Sequence, residues 1–123
     1  MAFDRKNFFS FIINPGGEGI PAMPHEEEFS VQQIRDHIAG DPEVICETCD
    51  GFLLFRNRDA TSGGLPLNPL ATSVYNKYAR RPCRVYGSAF LAHPDHIPAY
   101  WRKKLHTKAR PAMTETMTFR QSA

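Results

Sequence analysis

Three cysteines and two closely spaced histidines are the side chains of this chain that could hold a metal or take part in catalysis. Cys46 and Cys49 have the Cys-x-x-Cys spacing of half a zinc site or of a redox motif. A zinc ion needs four ligands, and Cys83, His93 and His96 are the candidates that remain. These lie far along the chain, and the pair precedes an Asp-Gly turn rather than a helix, so we interpret the cysteines as ordinary structural residues. We expect no cofactor, with structural zinc as the alternative.

The run His-Pro-Asp-His at residues 93–96 places two imidazoles beside a carboxylate. Histidine titrates near neutral pH and can therefore act as a general base. Such a base should be accompanied by a nucleophile or a second acid, and the sequence nearby has no serine or cysteine motif. Asp95 has a simpler role as the N-cap of a helix. The pattern favours a protein that is not an enzyme, and a small hydrolase or zinc protein using His93 and His96 is the alternative.

The glycine-rich segment 16–19 follows an apolar run, as the phosphate loops of nucleotide-binding proteins do. It lacks the Gly-Lys-Ser/Thr ending and leads into prolines and three glutamates instead of a helix. Because carboxylates repel phosphate, we exclude nucleotide binding of this type.

Charge is distributed unevenly, although the formal net charge of the chain is only +2. Residues 1–59 hold five basic and eleven acidic side chains, whereas residues 60–123 hold ten and two. In the acidic half, Glu26, Glu27 and Glu28 are the predicted contact for a basic partner. In the basic half, cations alternate with aromatic residues, a mixture that suits phosphates and stacked bases. The predicted contacts there, with a protein or a nucleic acid, are Arg80, Arg81, Arg84, Arg102, Lys103, Lys104 and Lys108.

The first half of the chain predicts a strand, a loop, a helix and a hairpin. Residues 8–13 are almost entirely apolar and predict a central strand, and residues 14–28 predict a long exposed loop. Ser30 and Gln33 form a capping-box pattern before a helix over about 31–39, whose apolar stripe includes Val31 and which Gly40 ends in a left-handed conformation. Residues 43–46 and 52–56 are β-prone runs joined by a loop that ends in Asp-Gly, which predicts a hairpin.

The second half predicts a helix, a strand and a last helix. Asn68 is a good N-cap, and Pro69 suits the first helical position of a helix with Leu70, Val74 and Tyr78 on one face. Residues 84–92 predict a strand. A final helix is predicted to begin at Asp95 and to run to about residue 105, followed by a polar tail.

These elements predict an α+β fold. The order β-α-β-β-α-β favours a small, mostly antiparallel sheet of about four strands with two or three short helices on one side. A chain of 123 residues with 41% hydrophobic residues is sufficient for one compact domain, predicted over residues 1–105, with a flexible tail over 106–123. The composition argues against a collagenous, coiled-coil or wholly disordered chain.

The sequence also predicts where the protein resides. No apolar run approaches the roughly 18–20 residues needed to span a bilayer. The short apolar run near the N-terminus stops at Asn-Pro-Gly without a signal-peptide cleavage site. An odd number of cysteines fits reduced thiols. We therefore expect a cytoplasmic protein that makes no contact with a membrane.

Three segments resemble a small uncharacterised family of proteins often carried by phages and plasmids, a domain of unknown function. The main one is Leu65-Pro66-Leu67-Asn68 followed by Ala71-Thr72, and the others are the hairpin strand at 50–55 and Tyr86-Gly87-Ser88-Ala89-Phe90-Leu91. The resemblance covers about residues 8–97. It implies the α+β fold and a mobile-element setting, and it carries over no activity because none is established for the family. The chain departs from the family in its Cys-x-x-Cys pair and in the basic extension after Pro98.

Together these observations predict a non-catalytic accessory binding module that acts by protein contact. One version is an inhibitor that uses Glu26–Glu28 to occupy a basic channel on a host nucleic-acid enzyme. The alternative from a different class is direct nucleic-acid binding through the basic surface of residues 77–110.

Overall fold

The computed structural model describes residues 9–60, 64–79 and 81–106, which form one antiparallel sheet with helices packed on it. The strands are β1 (Ser10–Ile13), β2 (Gly19–Ala22), β3 (Pro42–Glu47), β4 (Leu53–Asn57) and β5 (Ala89–Ala92). The helices are α1 (Val31–Ile38), α2 (Pro69–Tyr78) and α3 (99–106), and a 3-10 turn spans Pro94–His96. No helix in the described segments is both long and apolar enough to cross a membrane.

The predicted α+β class and antiparallel sheet are confirmed, but the sheet has five strands rather than about four. Its order is β2-β1-β5-β4-β3. The extra strand, β2, lies in the segment predicted as a loop and pairs with β1 through a turn that places Gly17 at φ +95. Because β2 is an exposed edge strand, it does not carry the apolar alternation by which a strand is recognised.

The prediction that all helices lie on one side of the sheet is wrong. Leu53 and Phe55 of β4 pack in one core cluster with Ile34 of α1 and Trp101 of α3. Leu54, between them, packs in a second cluster with Ala71 of α2. Because successive strand residues point to opposite faces, α1 and α3 cover one face and α2 covers the other. The uninterrupted apolar run in β4 is the sequence signature of this arrangement.

A bulge in β3 determines on which face of the sheet Cys46 is buried. Val44 pairs with Phe55 and Cys46 pairs with Leu54, so Ile45 is the extra residue between them. Such a bulge shifts the alternation by one position. Cys46 is consequently buried on the α2 face of the sheet.

Helix α1 begins as predicted, with the Ser30 hydroxyl accepting a hydrogen bond from the Gln33 N–H at 3.1 Å. The second bond of a capping box, from the Gln33 side chain back to the Ser30 backbone, is not formed. The Gln33 amide instead donates to Met23 O and accepts from His25 N–H. This side chain therefore ties residues 23–28, which include Glu26, Glu27 and Glu28 and which we call the acidic loop, to the helix. Val31, predicted on the apolar stripe, is 49% exposed.

The end of α1 differs from the prediction by one residue. Ala39 rather than Gly40 adopts the left-handed conformation, with φ 58. Gly40 is needed for a different reason, because a Cβ at this position would collide with the Asn57 side chain. Asn57 in turn donates to Ala39 O at 3.2 Å and so connects β4 to the end of the helix.

Both edges of the sheet carry features that oppose further strand pairing. The edge strand β2 contains Pro21, and the edge strand β3 begins at Pro42 and contains the bulge. Proline and bulges are common devices for blocking sheet edges. Partner binding is therefore better served by side-chain surfaces than by strand addition.

Candidate functional site

The segment Leu65-Pro66-Leu67-Asn68 places leucines on the surface. Leu65, Leu67 and Leu70 are 37%, 42% and 42% exposed, and we call them the leucine patch. Leu70 was predicted on the buried stripe of α2, but Ala71 is the residue of that helix that is fully buried. Three half-exposed leucines within six residues form an apolar surface that the packing of the described residues leaves open.

The buried side chain of Asn68 holds residues 65–68 in place. Its side chain is fully buried, and its Oδ1 accepts from Ala71 N–H at 3.1 Å, which confirms the predicted cap. Its Nδ2 donates to the carbonyls of Ile13 and Gly87, both at 2.8 Å. One side chain therefore joins α2, the end of β1 and the loop before β5.

The leucines are also fixed by a short ladder with residues 85–87. Leu67 pairs with Tyr86 in an antiparallel bridge, and Gly87 N–H donates to Pro66 O at 2.7 Å. Gly87 has φ +77, and a Cβ there would lie 2.8 Å from the Leu65 side chain. The predicted strand over residues 84–92 is therefore shorter than expected, because the regular strand begins only at Ala89. Residues 85–87 form this short ladder instead. The leucine patch is thus held by backbone hydrogen bonds rather than carried on a free loop.

An open groove of about 550 Å³ lies between α2 and residues 82–86, and we call it the α2 groove. Tyr86 in its lining is the bridge partner of Leu67 in the leucine patch. Thr72 Oγ1 accepts from Val85 N–H at 2.8 Å, which ties the groove's helical wall to the opposite segment. Asn76 Oδ1 accepts from Cys83 N–H at 2.9 Å and does the same one turn later. The groove is lined by Thr72, Asn76, Pro82, Cys83, Arg84 and Tyr86.

His93 and His96, the residues of the alternative hydrolase hypothesis, lie against a serine that is distant from them in the sequence. Ser10 Oγ accepts from His93 N–H at 2.8 Å and lies 2.9 Å from His96 Nδ1. With Nδ1 of His96 unprotonated, the hydroxyl donates to it. The one signal in the sequence was that Ser10 is a lone polar residue in an apolar run.

This Ser-His arrangement is built as a structural connection. Ser10 is fully buried, so its hydroxyl does not meet a substrate in this conformation. His93 is also buried, and its Nδ1 accepts from Asp95 N–H at 3.0 Å. The prediction that Asp95 caps the last helix is wrong, because α3 begins only at residue 99 and Asp95 lies in the 3-10 turn before it. His93 caps that turn. Burial, then the neighbouring His93, lower the pKa of His96, while Asp95 opposes the shift.

The candidate metal ligands are dispersed. Cys46 is in the core, where burial raises the pKa of its thiol to about 11. Cys49 is exposed in the hairpin turn, with its Sγ 3.7 Å from Tyr78 Oη, and Cys83 is exposed in the α2 groove. Among the residues that the structure describes, no three His, Cys, Asp or Glu side chains are positioned to hold one metal ion.

The predicted basic contacts fall on two elements rather than one surface. Arg81 and Arg84 follow α2 on one face, whereas Lys103 and Lys104 project from α3 on the other. Arg102 is engaged within the molecule, because it pairs with Glu47 at 2.9 Å and donates to Gly51 O. Arg80 and Lys108 lie outside the described residues, as does the predicted tail apart from residue 106.

The predicted acidic contacts lie together in the loop before α1. Glu26, Glu27 and Glu28 are all exposed, and within the described part of the chain none of them forms a salt bridge. The loop is anchored at its end by Phe29, whose N–H donates to His96 O at 2.8 Å. The acidic loop and the α2 groove are thus positioned by helices on opposite faces of the sheet.

Comparison with protein-family models, with curated proteins and with solved structures finds no significant match to the chain. The resemblance to a phage- and plasmid-carried family stays a prediction.

Proposed function

We propose that the protein is a non-catalytic binding module that acts by contact with another protein. The observation that carries the proposal is the leucine patch, three half-exposed leucines beside an open groove that contains Arg84 and Tyr86. Apolar surface that remains open beside aromatic and arginine side chains is typical of protein interfaces.

The surface is suited to binding because it is rigid before a partner arrives. Buried Asn68 and the ladder at residues 85–87 hold the leucines in place. A partner then loses less free energy to ordering this side of the interface. Burying the remaining exposed part of each leucine would contribute about 1 kcal/mol. Arg84 and Tyr86 are of the types that most often dominate binding energy.

The finer elements of the proposal are a cytoplasmic location, a mobile-element setting and inhibition of a host nucleic-acid enzyme. Inhibition would use the carboxylates of Glu26–Glu28, which are exposed and available to a basic channel. That version places the contact at the acidic loop rather than at the leucine patch. Changing the three glutamates to lysine therefore distinguishes the inhibitor hypothesis from binding through the leucine patch.

Affinity purification from the source cell tests the proposal. The tagged full chain is compared with the double variant Leu65→Glu/Leu67→Glu, which adds two charges to the leucine patch and leaves Asn68 unchanged. We expect a protein recovered with the wild-type chain to be lost with this variant, because carboxylates would be desolvated on binding.

Matched variants show whether the loss is specific. Met23→Glu/Val31→Glu also charges two half-exposed apolar side chains, but these belong to α1 and the loop before it. This control should retain the protein. The leucine patch is not the contact if the partner protein is recovered with both double variants. It is also not the contact if the partner protein is lost only when Glu26–Glu28 are changed to lysine.

A further inference from the structure

We infer that the α2 groove binds carboxylate side chains, so that the partner segment seated on it and on the leucine patch is acidic as well as aliphatic. The inference rests on the proposed function and deepens it, because it assigns the chemistry of the partner.

Charge at the groove is of one sign. Arg84 lines it and Arg81 lies beside it, and both side chains are exposed. Neither arginine forms a salt bridge with any described residue, and no carboxylate is among the lining residues. Guanidinium groups bind carboxylates in a two-pronged geometry, so these groups are matched to an acidic side chain.

The remaining polar groups of the groove are compatible with the same ligand. The Asn76 amide and the Tyr86 hydroxyl lie in the lining, and both can donate hydrogen bonds to a carboxylate. The groove is open, and Tyr86 in its lining pairs with Leu67 in an antiparallel bridge. Because directly paired residues project to the same side, the Leu67 side chain lies next to the Tyr86 end of the groove. A protein segment with acidic and aliphatic side chains would occupy both surfaces at once.

A nucleic acid is the less favoured occupant of this surface. Its backbone would require a track of cations, and Lys103 and Lys104 project from the helix on the opposite face of the sheet. Leucines beside the groove also offer nothing to a phosphate. An acidic and aliphatic protein segment, by contrast, can pair with the arginines and pack on the leucines.

The native cysteines provide a direct probe of the groove's charge. Cys83 lines the groove beside Arg84, and Cys49 is a second exposed thiol, beside Asp50. Cys46 is buried and stays protonated, so it does not compete. Each exposed thiol can be followed alone in the Cys49→Ser or Cys83→Ser chain.

The experiment measures thiol–disulfide exchange with a dianionic reagent, dithiobis(nitrobenzoate), and with a dicationic one, cystamine. We expect the ratio of anionic to cationic rates to be roughly three- to tenfold higher at Cys83 than at Cys49 at low ionic strength. Because each reagent is compared at two thiols, its intrinsic reactivity cancels. Arg84→Glu should abolish the difference, and Lys103→Glu, on the other face, should leave it intact. Equal ratios, or no effect of Arg84→Glu, overturn the inference.

A second measurement tests the class of partner. Fluorescence anisotropy is followed with a short labelled peptide of leucine and glutamate, its leucine and lysine counterpart, and a labelled oligothymidylate. We expect binding of the glutamate peptide alone, lost in both Arg84→Glu and Leu67→Glu. Preference for the lysine peptide or for the oligonucleotide overturns the inference.

The two proposals fail in different ways. If Leu65→Glu/Leu67→Glu loses a cellular partner while the glutamate peptide does not bind, the acidic partner is wrong and the proposed contact stands. If the leucine variant changes nothing, the proposed contact itself is wrong.

Discussion

At the scale of single residues, the side chain of Ser10 makes long-range contacts that the sequence does not reveal. Ser10 joins His93 and His96, which lie more than eighty residues away in the chain. A search for catalytic patterns finds the two histidines, because they are close in sequence. The serine comes from the first strand, and only the pairing of β1 with β5 brings it to them.

Lowering the pH is expected to weaken the fold through His96. The pKa of His96 is below its ordinary value of 6.5 because burial, and then His93, disfavour the charged ring. The folded state therefore favours the neutral form. This contribution to stability is fully present above pH 6.5 and is lost as the pH falls through 6.5 towards the lower folded pKa.

Chemical denaturation across this pH range measures the effect. His37 also has a lowered pKa because of burial and contributes with the same sign, so the wild-type chain is compared with His96→Asn. The variant should show a smaller loss of unfolding free energy on acidification. Equal pH dependence of the two chains would contradict a role for His96.

At the scale of elements, the sequence predicts the N-caps of α1 and α2 but not the features that depend on long-range strand pairing. The caps at Ser30 and Asn68 depend on residues three positions away, so the sequence predicts them. The edge strand β2 and the bulge at Ile45 are set by pairing with distant strands, and no local pattern reveals them. The exposure of Leu67 likewise depends on its bridge with Tyr86, so the candidate site could not be located from the sequence.

Replacing Asn68 should destabilise the fold far more than removing an ordinary helix cap. Asn68→Ala removes the cap, worth about 1 kcal/mol, and leaves two carbonyls without their donor, at about 1 kcal/mol or more each. We expect the free energy of unfolding to fall by about 3 kcal/mol.

Ser30→Ala is the matched control, because it removes one capping bond of α1 and no long-range contact of the serine side chain. Urea denaturation should give a loss of only about 1 kcal/mol for it. Similar losses for the two variants would mean that the Nδ2 bonds of Asn68 contribute little to holding the segment.

At the scale of the whole molecule, the sheet separates cations that belong to one basic half of the sequence. The basic half of the chain begins at α2 and continues to α3, and these helices cover opposite faces. A ligand on one face therefore meets only part of the predicted cationic set. The nucleic-acid hypothesis must therefore be restricted to the cations of one face of the sheet.

Salt dependence of duplex-DNA binding tests that consequence. All seven predicted basic contacts acting together would give a slope of about −6 in log affinity against log salt concentration. Contact through one face should give a clearly shallower slope, because the described cations divide between the faces, with Arg81 and Arg84 on one and Lys103 and Lys104 on the other. Fluorescence anisotropy over a salt series measures the slope.

Charge reversal identifies the face that is used. Either Arg81→Glu/Arg84→Glu or Lys103→Glu/Lys104→Glu should reduce DNA affinity, and the other pair should have little effect. A slope near −6 with equal losses for the two variants would contradict the separation of the cations.

The position of β5 also determines when the sheet can form during synthesis. Residues 89–92 form the last of the five described strands to be synthesised, yet they lie in the centre of the sheet. Leu91 alone pairs with Phe11 of β1 on one side and with Leu54 of β4 on the other. Before residues 89–92 emerge from the ribosome, the nascent chain can form only two separate hairpins, and an isolated two-stranded hairpin is marginally stable in water. The fold is therefore completed in one late step, and a chain cut short before β5 would leave two unconnected pairs of strands rather than a smaller copy of the domain.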